Sequence, residues 1–147
     1  MTTEDTDIAV GVSYVVKIDG ESLGAFSSCD GLGVEVVLES REEGGNNAYV
    51  WQLPTRLKFS NVKLSRPLGK GSSQPILGWI ARAPRIAPSQ AEIQARNAAG
   101  TPIATWHLEQ VIPVRWTGPS LTNDQPKVLT ETLELAHHGI KADPPGN

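Results

Sequence analysis

Glycine and proline interrupt this chain every few residues, and the segments between them alternate apolar with polar side chains. There are 14 glycines and 11 prolines among 147 residues. Short alternating runs bounded by turn-formers mark an all-β domain, because successive strand residues point to opposite faces. Val12, Tyr14, Val16 and Ile18 lie two apart in the first segment, Val10 to Asp19, and Asp19-Gly20 makes the next turn. Leu23 to Ser27 reads as a short return strand, and Val34 to Arg41 as a longer one after the turn at Asp30-Gly31-Leu32-Gly33. Leu57 to Arg66 is strand-like, with a change of register between Phe59 and Val62. Ala91 to Arg96 and Ile103 to Gln110 form a hairpin about Asn97-Ala98-Ala99-Gly100. Val111 to Trp116 follows with proline and bulge character, and Val128 to His137 is the last strand. One helix is expected. Ser73 is placed to cap it, Pro75 is tolerated in its first turn, Ile76, Leu77 and Ile80 share a face, and Pro84 ends it.

A chain of this length suits one domain, residues 10–141, between polar ends 1–9 and 142–147 that are expected to be flexible. The net charge is -3, and the basic residues form no stripe or patch, which argues against nucleic-acid specificity. With Cys29 alone no intrachain disulfide forms, and intracellular folding follows. Met1 to Asp7 is polar and acidic, unlike a secretory signal. No stretch approaches the roughly 20 apolar residues of a membrane span.

Residues suited to chemistry do not gather. His137 and His138 are neighbours, so a regular strand sends them to opposite faces, and no Asp, Glu or Cys stands at metal-ligand spacing beside them or His107. Cys29 has no local base and reads as a small buried residue. Gly69-Lys70-Gly71-Ser72 fails the phosphate-loop pattern, because Gly71 separates Lys70 from Ser72. Gly31-Leu32-Gly33 lacks the third glycine of a dinucleotide site, and Glu42-Glu43 is a solvated pair. The chain is expected to be neither an enzyme nor a cofactor or metal carrier.

Residues 42–55, EEGGNNAYVWQLPT, form a long connection that joins flexible glycines and asparagines to Tyr49, Val50, Trp51 and Leu53. A solvated loop does not normally carry such side chains. Four tryptophans (Trp51, Trp79, Trp106 and Trp116) are many for a small domain, and this residue type is enriched at interfaces. Two readings fit: a self-assembling protein whose projecting hairpin is ordered by docking, or a monomeric sandwich with one loose loop.

Six pieces in order resemble the tail tube proteins of contractile phages and of extracellular contractile injection systems. Tyr14 to Gly20 resembles the opening strand and turn. Phe26 to Glu35 is similar to the F-x-E-x-S-G-L segment, with Cys29-Asp30 where a serine pair is usual, and Arg41 to Asn46 is similar to Y-R-E-G-x-N. Leu53-Pro54 with Leu57 to Leu64 resembles L-P-G-x-x-K-Y-x-N-I-T-L-K. Gly100 to Ile103 with Thr105-Trp106 resembles the late hairpin, and Glu131 to His137 with Gly139-Ile140 the closing strand. The proline- and alanine-rich segment 82–90 departs from the pattern. The resemblance implies two packed antiparallel β-sheets with one short helix. It implies homohexameric rings whose sheets join into a continuous inner barrel, stacked as a rigid tube inside a contractile sheath.

The implied partners are further copies of the chain, the sheath protein, baseplate, spike and cap proteins, and lumenal cargo. Assembly in the bacterial cytoplasm into a virion-like particle is implied too. By the same resemblance, Arg41 to Thr55 is expected to be the hairpin that reaches a neighbouring ring, through Arg41, Glu42, Glu43, Asn46, Asn47, Tyr49, Trp51 and Leu53. On the last strand, Thr130, Thr132 and Glu134 are expected to face the lumen while Leu133 and Leu135 pack inward. Other readings are a tube-initiator paralogue at the baseplate, which low copy number would reveal, and the ring protein of type VI secretion. A monomeric carbohydrate- or peptide-binding sandwich, which would not polymerise, belongs to another class.

Overall fold

The period-two segments become strands, and their apolar faces meet in one core. The computed structural model describes residues 11–42, 44–45, 48–121 and 128–143. In chain order the elements are β1 (Ser13–Ile18), β2 (Glu21–Phe26), β3 (Ser28–Asp30), β4 (Val34–Arg41), β5 (Trp51–Phe59) and β6 (Val62–Pro67). Then come α1 (Ser73–Arg82), a 3₁₀ turn (Ala83–Arg85), β7 (Ser89–Arg96), β8 (Pro102–Thr117), β9 (Thr130–Ala136) and β10 (Ile140–Ala142).

The strands run in the order β2-β1-β7-β8-β9-β6-β3, all pairs antiparallel, with β10 also on β8; among the described residues β4 and β5 pair only with each other. β8 has 16 residues because it serves both layers. Pro102 to Val111 pairs with β7, and Ile112 to Thr117 pairs with β9. Gln110, at φ 50°, marks the crossing, where a non-glycine residue in the left-handed region bends the strand. On the opposite side β2 passes into β3, and the Ser27 amide donates to Ser65 O at 2.8 Å. Two sheets therefore fold onto each other, joined by strands that change layer.

The core between them takes Val16, Ile18, Phe26, Ile93 and Leu108 from one layer and Val62, Leu64, Leu133 and Leu135 from the other. Helix α1 adds Ile76 and Trp79, and the Trp79 indole N–H donates to Ser89 Oγ at 3.1 Å. The helical face differs from the expected one. Ile76 and Trp79 are buried, Ile80 packs against the core, and Leu77 is exposed, since positions i, i+3 and i+4 share a face and i+1 does not. Ser72, not Ser73, is the residue before the helix, and its side chain makes no capping bond. The strand expected over Leu57 to Arg66 is split into β5 and β6 at Ser60-Asn61, and residues 51–55 of the expected connection belong to β5. Ala142 lies in β10, and Asp143 Oδ1 is 2.7 Å from His107 Nε2. Residues 1–10 and 144–147 lie outside the described residues.

Candidate assembly surface

β3 pairs with β6 and β4 pairs with β5, so these four strands form one long ribbon broken by a joint at Gly31-Leu32-Gly33 and Ser60-Asn61. Gly31 has φ +93°, and a Cβ there would lie 2.1 Å from the Asn61 carbonyl oxygen. The joint therefore needs a glycine twice over, for its backbone angle and for the close crossing. Gly31→Ala is expected to cost about 2 kcal/mol or more, read as a fall in the urea midpoint with an unchanged slope.

Beyond the joint the hairpin leaves the body. Val34 faces Phe59, Val36 faces Leu57 and Leu38 faces Pro54, with a register shift between Val37 and Leu38. Thr55 is the extra residue, and its hydroxyl donates to Val37 O at 2.7 Å. The alternation places Val34, Val36, Leu38 and Leu57 on one face and Glu35, Val37, Glu39 and Arg41 on the other. Val34, Val36, Leu38 and Leu57 are 54%, 48%, 52% and 56% exposed, so among the described residues no layer covers the apolar face. A two-stranded hairpin is marginal alone in water. Its root is held by the Phe59 ring, 5.3 Å from the His137 ring, and its far end by Tyr49 against Trp51, edge to face at 5.1 Å.

The residues expected at the interface divide between two locations. Arg41 opposes Trp51 and Leu53 opposes Glu39, on the hairpin face opposite the apolar stripe, with Tyr49 against Trp51. Glu42 is exposed just past β4, while Glu43, Asn46 and Asn47 lie outside the described residues. The apolar stripe itself escaped the sequence reading. Val34, Val36 and Leu38 showed as a strand, but only their exposure, with that of Leu57, shows that the face has no partner among the described residues. On β9, Thr130, Thr132 and Glu134 lie on the face opposite the buried Leu133 and Leu135. Thr132 Oγ1 and Ser65 Oγ are 3.0 Å apart, and Asn61 donates to Glu134 Oε2 at 2.8 Å. Lys63, Arg115 and Thr117 complete this polar surface.

A buried ionic network also escaped it. Glu131 shares the inward face of β9 with Leu133 and Leu135 and is 0% exposed. Its register partner on β6 is Arg66. Arg66 Nε lies 3.4 Å from Glu131 Oε2, and its other nitrogens donate to Leu23 O and Ser72 O, each at 2.6 Å. The guanidinium lies over the Phe26 ring at 4.2 Å. Glu131 also accepts from Ser72 Oγ and from Trp116 Nε1 at 3.1 Å. Burial pushes its carboxyl up, but those hydrogen bonds and the Arg66 charge outweigh it and leave the pKa below the ordinary 4.5. The network ties β2, β6, β8 and β9 to the loop before α1. It stabilises the body that carries the hairpin.

Burial, with Asp30 beside it, pushes the Cys29 thiol up to about 11. At pH 8 its thiolate fraction is roughly a hundredfold below that of an ordinary cysteine. A thiol reagent is therefore expected to label the folded protein about a hundredfold more slowly than the urea-unfolded chain. His137 is buried and His138 exposed. Among the described residues, no three of His, Cys, Asp and Glu gather as a metal site, and no helix is long and apolar enough to cross a membrane.

The same arrangement recurs in solved structures. The chain is similar to a protein in the anti-feeding prophage baseplate, at TM-score 0.74 and 20% identity over 95% of this chain and 97% of that one. It is similar to a protein of the sheath-tube complex of an extracellular contractile injection system, PVC, at TM-score 0.76 and 19% identity over 97% and 98%. Likeness to Hcp1 from Salmonella typhimurium is weaker, at TM-score 0.56 and 18% identity over 90% and 86%. At these identities they show a shared fold. No curated protein sequence matches the chain. The family described as T4-like virus tail tube protein gp19 matches residues 10–141. With nearly the whole chain matched, this protein belongs to the T4-like virus tail tube protein family and is a structural subunit of a tail-type tube.

Proposed function

We propose that copies of this chain close into hexameric rings that stack as the inner tube of a phage tail or contractile injection particle. The observation that carries this reading is the hairpin β4-β5, which exposes a continuous apolar face with no layer of the described residues beneath it. A two-stranded hairpin is marginal alone in water, and an exposed apolar face of this kind marks a surface that another molecule covers. A hairpin held at one end of the chain and received by another copy is a heterologous contact, which builds open polymers. The sheath-tube complex among the similar structures supports a contractile sheath as the outer partner, and a similar cap protein supports a terminating partner. The polar surface of Thr130, Thr132 and Glu134 lines the lumen, where cargo passes without adhering.

The role is mechanical, with no catalytic step: the sheath drives the tube, and the tube supplies stiffness. Mass photometry and negative-stain electron microscopy of the purified full chain test the proposal. Rings or stacked tubes with a central hole support it. A monomer that persists at high concentration and in the presence of baseplate particles overturns it.

A further inference from the structure

The first half of β8 has β7 on one side, from Pro102 to Val111, while on its other side β9 joins only at Ile112. Left uncovered, the main-chain groups of Thr105 to Gln110 on that side form an open edge, and an open edge is a template for a strand of another chain. Residues 138–143 cover it. Ile140, Lys141 and Ala142 pair with Leu108, His107 and Trp106. The His138 and Asp143 amides donate to Glu109 O at 2.8 Å and Thr105 O at 3.0 Å, and the Glu109 amide donates to Gly139 O at 2.9 Å. Side chains add three ties. His107 Nε2 lies 2.7 Å from Asp143 Oδ1, Lys141 Nζ lies 2.8 Å from Glu109 Oε1, and His138 Nδ1 donates to Gln110 O at 2.8 Å. Of residues 138–143, Ile140 alone packs against the core, so the segment is held to the edge itself rather than by burial.

A strand that covers an edge creates a new one, and here the new edge pairs poorly. β10 has three residues, with the exposed Lys141 at its centre. The two residues after Asp143 in the sequence are Pro144 and Pro145, which carry no N–H to donate. Short strands, lysine and proline are the means by which folded chains blunt an edge. β2, the opposite edge of the same layer, is interrupted by Gly24 at φ +94° and by the register shift beside it. We infer that residues 138–143 are an autoinhibitory strap, which keeps the β8 edge from adding a strand of another chain, so that a free subunit does not pair edge to edge. The inference stands apart from the tube reading, because it concerns an edge that each chain closes for itself.

A redox-controlled clamp tests this in the full chain, with Cys29→Ser as background. His107→Cys with Lys141→Cys removes both side-chain ion pairs in the reduced state. The two positions are direct register partners, so oxidation ties the strap down through a disulfide. The reduced variant is expected to form irregular, thioflavin-binding aggregates at about a tenth of the concentration the parent needs, and the oxidised variant to behave as the parent. Lys141→Ala with Asp143→Ala, at positions 73% and 47% exposed, loosens the strap without cysteines and is expected to aggregate like the reduced variant. In both loosened forms the Glu109 amide exchanges its hydrogen about tenfold faster. Loosened forms that stay soluble up to the parent's concentration, or a cysteine variant that aggregates equally when oxidised, overturn the inference. So does aggregation preceded by loss of the near-ultraviolet circular dichroism of the folded subunit, which makes the segment a stabiliser and not a guard. Hollow tubes formed by the parent bear on the tube reading alone.

Discussion

Val36→Lys and Leu57→Lys together abolish polymerisation and leave the single subunit as stable as the parent. Both side chains are about half exposed in the single chain, and they oppose each other across the β4-β5 pair. Exposed substitutions typically change folding stability by no more than about 0.5 kcal/mol, so the thermal midpoint of the subunit is expected to hold. Under the proposed assembly the same positions lie in a desolvated contact. Central apolar anchors there are worth about 2 kcal/mol or more each, and a buried, unpaired lysine adds its own desolvation cost. Two such losses at every repeat weaken each contact more than a hundredfold. Sedimentation of the concentrated protein reads the result: the parent pellets as polymer and the variant stays in the supernatant. A variant that pellets like the parent removes the apolar face from the assembly.

Glu131→Leu is the most damaging single change to the fold. It leaves Arg66 buried at 7% exposure without its carboxylate, and it strips the acceptor from Ser72 and Trp116. Removing one partner of a buried pair costs about 3–5 kcal/mol, which for a chain of this size lowers the melting midpoint by roughly 10 °C or more. Arg66→Met with Glu131→Leu recovers much of the loss, because no uncompensated charge remains. The network also fixes the acid response. Glu131 has a lower pKa folded than unfolded, so the stability it contributes is fully present above about 4.5 and is lost as pH falls through the folded value. Urea midpoints between pH 6 and pH 3 are expected to fall more steeply for the parent than for Glu131→Gln. Parallel slopes would remove Glu131 from the acid response.

The alternation of Val16 and Ile18, and of Leu133 and Leu135, was enough to place strands with the correct inward face, because a one-residue slip would have turned each set to solvent. The helix near Ser73 was legible too, but its face was not. Trp79 was counted among interface tryptophans, although the spacing from Ile76 puts it in the core. Other features depended on pairing across long stretches of chain. That β8 serves two layers follows from which strands lie beside Val111 and Ile112, and no local pattern reports that. Glu131 carried a readable signal, since it falls on the same alternation as Leu133 and Leu135. A charged residue in that position makes sense only once Arg66 is known to stand across from it. The hairpin was legible by its composition and by resemblance, but its apolar side was not. Val34 to Leu38 showed the same alternation as a core strand, and only the topology shows that none of the described residues forms a layer against it.

The central claim is that this chain is a tube subunit whose hairpin is ordered and covered by another copy. Cryo-electron microscopy of the polymerised full-length protein tests it most directly. The account predicts a hollow, sixfold-symmetric stack in which Val36 and Leu57 are buried between copies and Thr132 and Glu134 face the central channel. A polymer in which the β4-β5 apolar face stays open to solvent, or in which Thr132 and Glu134 lie buried between subunits, would contradict it.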